Sequence, residues 1–168
     1  PETPLFRENF ITFLEEKQAD PIRVMNLIQI HVERNETRQA LEHMSRLLKL
    51  YTLGRHDLDE FKAYLSRLEP RVSDSEKRIY LQTQLHLMLH LNDEKGLRDF
   101  ISDKGQAASL WAEGQRDLFS LYLAVRALEP FVGRGAGATA LLKRLKKAIL
   151  PQQEDPDVAF LLSFTDYV

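Results

Sequence analysis

Helical periodicity is plain in the sequence ALEHMSRLLKLYTLG, residues 40–54. Its apolar side chains recur three or four positions apart, so they lie along one side of an α-helix. Those positions are Ala40, Leu41, Met44, Leu47, Leu48 and Tyr51. Gly54 follows them, and glycine most readily takes the left-handed conformation that often ends a helix. The stretch predicts an amphipathic helix that ends at Gly54.

The same periodicity runs through most of the chain on both sides of this stretch. Asp20-Pro21 predicts a helix start, because the carboxylate can accept from free N–H groups and proline suits the first helical position. Asp57 is a candidate N-cap, and Ser73-Asp74-Ser75-Glu76 has the pattern of a capping box. The apolar positions at helical spacing are Ile22, Met25, Ile28 and Val32, then Leu58, Phe61, Leu65 and Leu68, then Ile79, Tyr80, Leu85, Leu87, Met88, Leu89 and Leu91, then Leu97, Phe100 and Ile101.

The fold class that follows is all-α, because no segment shows the alternation typical of a strand. We expect about seven to nine helices arranged as antiparallel hairpins. They stack as a short α-solenoid or form an irregular helical bundle. The densest apolar segment, residues 85–91, is apolar on several faces and predicts the most buried helix, with Leu85, Met88 and Leu89 in the core.

Length and composition exclude several classes of protein. The chain has 168 residues, which predicts a single all-helical domain over residues 1–168, and because it opens on Pro1 we expect it to be excised from a longer protein. Its 23 basic and 25 acidic residues give a net charge of -2, which argues against nucleic-acid binding by the whole domain. The absence of cysteine excludes disulfides and thiolate zinc sites and fits a cytoplasmic location. No apolar run is long enough to span a bilayer.

Two segments of the chain resemble each other. HVERNETRQALEHM, residues 31–44, and HLNDEKGLRDF, residues 90–100, each read as an apolar helix, a short polar turn, a small residue, a leucine and a large apolar residue. This pattern resembles the helix-hairpin unit of α-solenoids of the tetratricopeptide and clathrin-heavy-chain kind. The tetratricopeptide pattern of Trp, Leu-Gly and Tyr is not present at its usual period. The resemblance implies an interaction surface on a scaffold or adaptor subunit, with the small residue allowing close approach of the two helices.

No catalytic, metal or cofactor site is expected. His86 and His90 are one helical turn apart, with Asp93 and Glu94 close behind, but Leu87 follows His86 where a zinc protease motif needs glutamate. We therefore interpret the two histidines as lying on the less buried side of their helix. The glycine-rich segment at residues 133–138 lacks the Gly-Lys-Ser/Thr ending of a phosphate-binding loop, so we interpret it as a flexible connector.

The partner-binding surface predicted from the sequence is a basic ridge that follows this connector. Its members are Arg134, Lys143, Arg144, Lys146 and Lys147. No acidic residue interrupts them, so they create a local positive field suited to a partner with an acidic surface. An ordinary solvated helix face is the alternative interpretation. A groove near Arg38, His43 and Arg98 is the competing site.

The function we expect is that of a non-enzymatic protein–protein interaction module, a scaffold or adaptor subunit of a larger assembly. One alternative is a compact helical-bundle adaptor, regulatory or chaperone-like, that binds a helical segment of a client protein. A helical enzyme with no recognisable motif is the third. The sequence contains nothing that indicates an oligomeric state.

Overall fold

The computed structural model describes residues 20–101 and, beyond them, Gln106, Leu110, Leu123 and Arg126. Residues 20–101 form five α-helices and contain no strand: α1 (Pro21–Glu33), α2 (Thr37–Leu50), α3 (Arg55–Leu68), α4 (Lys77–Leu91) and α5 (Glu94–Ile101). A single turn of 3-10 helix, Glu69–Arg71, follows α3. The all-α prediction is confirmed for this part of the chain. Helices predicted before residue 20 and after residue 101 lie outside the continuous described stretch, so the number of helices and the solenoid or bundle arrangement stay predictions.

Contacts divide the chain into two compact units, Pro1–Leu87 and Met88–Val168. The first three helices belong to the first unit and α5 to the second, with the boundary inside α4. The expected single domain over residues 1–168 stays a prediction. Within the described residues, no helix combines the length and the apolar character needed to cross a membrane.

Two of the predicted helix starts form as the sequence indicates. Oδ1 of Asp20 accepts a hydrogen bond from the backbone N–H of Ile22 at 3.0 Å, and Pro21 occupies the first helical position of α1. Before α4, the carboxylate of Glu76 accepts from the backbone N–H of Ser73 at 3.0 Å and from its hydroxyl at 2.7 Å. The glutamate half of the predicted capping box is therefore in place.

The predicted roles of Gly54 and Asp57 are wrong. The α2 helix ends at Leu50, where Tyr51 takes extended backbone with φ -132° and ψ 149°. Because the chain leaves the helix in an extended conformation, it needs no left-handed residue there. Gly54 is instead the N-cap of α3, with φ -70°, and Asp57 lies in the first turn of that helix. Asp57 thus lies near the positive end of the helix dipole but is not the N-cap.

The buried face of α1 matches the predicted one only in part, with Ile28 and Val32 buried as predicted. Ile22 is 71% exposed and Met25 is half-buried, whereas the buried side is formed by Val24, Leu27, Ile28, His31 and Val32. This side packs against α2, and α1 also contacts α3. Apolar residues at both Ile22 and Leu27 make two helical faces compatible with the sequence, so periodicity alone did not select the correct one.

The stripes predicted for α2 and α3 are buried as expected. The buried residues are Ala40, Leu41, Met44, Leu47 and Leu48 on α2, and Leu58, Phe61, Leu65 and Leu68 on α3. Tyr51, the last residue of the predicted α2 stripe, lies after the end of the helix and is half-buried. On α4, Leu85 is fully buried, but Met88 and Leu89 are only half-buried, so the predicted core position of these two is wrong. The buried residues of α4 end at Leu87. Leu85, His86 and Leu87 are consecutive and all buried, so packing covers more than one face of α4 up to Leu87 and only part of the segment that follows.

The turn between α1 and α2 has a specific backbone geometry. Asn35 takes a left-handed conformation with φ 60°. Its N–H donates to the carbonyl of Val32 at 3.2 Å, and the N–H of Glu36 donates to the carbonyl of His31 at 2.9 Å. These two bonds define a Schellman motif, in which asparagine tolerates the left-handed conformation better than most residues.

The turn between α4 and α5 repeats this geometry. Asn92 has φ 50°, its N–H donates to the carbonyl of Leu89 at 3.2 Å, and the N–H of Asp93 donates to the carbonyl of Met88 at 3.0 Å. Oδ1 of Asp93 then accepts from the N–H of Gly96 at 2.9 Å. A Cβ atom at Gly96 would lie 2.6 Å from Oδ2 of Asp93, so the small residue here accommodates the Asp93 side chain.

Candidate functional site

The basic ridge predicted from the sequence lies outside the described residues. This holds for all of its members, Arg134, Lys143, Arg144, Lys146 and Lys147, and for the connector at residues 133–138. The ridge and the connector therefore stay predictions.

The residues of the competing groove do not form one surface on α2. Arg38 and His43 are five positions apart, which separates them by about 140° around the helix. Arg38 is exposed, and its guanidinium donates to the carbonyl oxygen of Ser75 at 3.2 Å and to its hydroxyl at 3.4 Å. His43 instead lies against His31 of α1. Arg98 is exposed on α5, in the second compact unit.

A surface depression of about 300 Å³ lies beside the outward side of α2. Its lining residues are Glu42, Ser45, Arg46, Lys49, Leu50 and Ile79. We call it the α2 depression. Glu42, Arg46, Lys49 and Leu50 are exposed, while Ile79 contributes a half-buried wall from the first turn of α4. The sequence did not single out this site, because it combines residues about thirty positions apart.

Leu50 gives the α2 depression an apolar rim. Its side chain is 62% exposed, and it ends α2 just before the extended link to α3. Within the described part of the chain, Leu50 and Ile22 are the two large apolar residues that are strongly exposed.

A second cluster lies where α1 turns into α2. Nδ1 of His31 is 2.5 Å from Oε2 of Glu36, and Oε1 of the same carboxylate is 3.0 Å from Nε of Arg34. The His31 side chain is only 4% exposed. The imidazole of His43 stacks on that of His31, with the ring centroids 5.4 Å apart and the planes 12° from parallel. We call these four residues the histidine cluster.

Burial is the main electrostatic influence on His43. Together with smaller contributions from the neighbouring His31 and Arg46, burial lowers the pKa of the imidazole to about 4. A neutral ring costs less to bury than a charged one, so His43 is uncharged at neutral pH. This keeps the stack from placing two cations face to face.

The histidine cluster has a structural role and not a catalytic one. A carboxylate only accepts, so Nδ1 of His31 donates the proton in the short bond to Glu36. The Nε2 atom of His31 is buried and has no hydrogen-bond partner among the described residues. A general base must reach a proton on its substrate, and this nitrogen is covered by protein. The cluster therefore fastens the α1–α2 turn and has no access to a substrate.

The histidines of α4 differ from their predicted placement. His86 is buried, with 9% of its surface exposed, and His90 is half-buried, so the interpretation that both lie on the less buried side is wrong for His86. Asp93 is engaged in capping Gly96. Among the described residues, no three histidine, aspartate or glutamate side chains converge as metal ligands do. The expectation of no metal or cofactor stays a prediction.

Comparison of the chain with known proteins identified no relative. No protein-family model, no curated protein and no solved structure matches the chain. The resemblance to tetratricopeptide and clathrin-type hairpins therefore stays a prediction, and the function rests on the residues themselves.

Proposed function

We propose that the chain is a non-enzymatic protein–protein interaction module, a scaffold or adaptor that binds a partner through a surface of stacked helix hairpins. The observation that carries this proposal is the repeated turn. Asn35 and Asn92 have the same left-handed backbone and occupy the same place in the same pair of hydrogen bonds. Repeated hairpins bury their apolar faces by stacking on neighbours, and the stack leaves an extended surface for partners.

The placement of the polar side chains, buried or exposed, also supports binding over catalysis. Within the described residues, the imidazole of His31, which pairs with Glu36, is buried and its Nε2 is covered. Burial raises the pKa of Tyr80, a second buried titratable group, to about 12, so its phenol stays protonated and is a poor nucleophile. The α2 depression, by contrast, offers exposed charge and an exposed leucine. A cytoplasmic location is part of this proposal and rests on the absence of cysteine.

A binding experiment tests the proposal. The purified chain is immobilised, proteins captured from cell extract are quantified by mass spectrometry, and each candidate is then produced pure and titrated against the chain by calorimetry. The control is Ile28→Asp, which places a charge in the fully buried face of α1 and disrupts the fold. We expect at least one protein to bind the wild-type chain saturably and the control not at all. Equal capture by both would refute the proposal.

A compact bundle that grips a helical segment of a client is the second candidate, because the α2 depression could accept one face of such a helix. Shape separates it from a solenoid. A compact protein of 168 residues has a radius of gyration of about 15 Å. Small-angle scattering that gives a clearly larger radius for the monomer favours the solenoid, and a radius close to that of a compact protein favours the bundle.

A further inference from the structure

We draw no further inference here: the strongest candidate, the histidine cluster at the turn between α1 and α2, suggests a response to pH that rests on the lowered pKa of His43 alone, and nothing in the described residues shows a segment that its protonation would release.

Discussion

Acidification should destabilise this fold through His43, and the size of the effect follows from the histidine cluster. The folded chain holds the pKa of His43 at about 4, against an ordinary value of 6.5, because burial and two neighbouring positive or titratable groups oppose its charge. Between these two pKa values, His43 therefore binds a proton in the unfolded chain but not in the folded chain. Stability is complete above the ordinary pKa and decreases as the pH falls from there towards the lowered one.

The magnitude follows from the two pKa values. A difference of this size removes about 2 kcal/mol of folding free energy between about pH 7 and about pH 5. The His43 ring keeps some contact with water, so screening reduces the expected loss to between about 1 and 2 kcal/mol. Glu76 also has a lowered pKa, but its ordinary value is 4.5, so its contribution is lost at more acidic pH than this window.

Urea unfolding at about pH 7 and about pH 5 measures the loss. The variant His43→Gln removes the titrating group and should retain more stability at the lower pH than the wild-type chain does. His56→Gln is the matched control, because His56 has a side chain 87% exposed on α3, and it should keep the wild-type pH dependence. An NMR titration of the His43 ring protons reads the pKa directly. A His43 pKa near the ordinary value, or a pH-dependent loss equal in wild type and His43→Gln, would refute this reasoning.

Three further outcomes are expected. Leu85→Ala removes a fully buried side chain and should lower the free energy of unfolding by about 2–5 kcal/mol in urea titrations, and a loss well below that range would contradict its core position. Asn35→Ala removes the side-chain amide that helps asparagine to tolerate the left-handed conformation, and it should lower the free energy of unfolding by about 1 kcal/mol. Asn35→Gly should be neutral or stabilising, because glycine adopts this conformation without strain. Equal melting temperatures for these two variants would show that the left-handed backbone is not retained in solution. Reversal of Lys143, Lys146 and Lys147 to Glu should weaken partner association at low salt more than at high salt if the basic ridge docks a partner. Unchanged association at both salt levels would identify that segment as an ordinary solvated face.

Local sequence signals accounted for the elements of this fold but not for all of their faces. The Asp20-Pro21 start and the Ser73–Glu76 turn were predictable because the bonds involved join residues two or three positions apart. The apolar stripes of α2 and α3 were predictable because each helix has a single apolar side. On α1, apolar residues occupy more than one side, so the exposure of Ile22 was not predictable from spacing.

The candidate sites show the same division between local and long-range effects. His31 lies on the buried side of α1, three residues after Ile28, so its burial was predictable from the helical period. Its stack with His43 and its bond to Glu36 depend on the path of the chain through the left-handed turn at Asn35. The spacing of residues does not predict that path, because one residue with positive φ changes the direction of the whole following helix.

Sequence alone predicted correctly that residues 20–101 are helical and where α1 and α4 begin, and it established that the chain lacks cysteine chemistry. These properties depend on hydrogen bonds and side-chain patterns within a few residues. The α2 depression, the burial of His86 and the half-exposure of Met88 and Leu89 depend instead on which helices pack together. A helix with several apolar faces is compatible with several neighbours, and the face that loses its contact with water is selected by the packing of the whole fold.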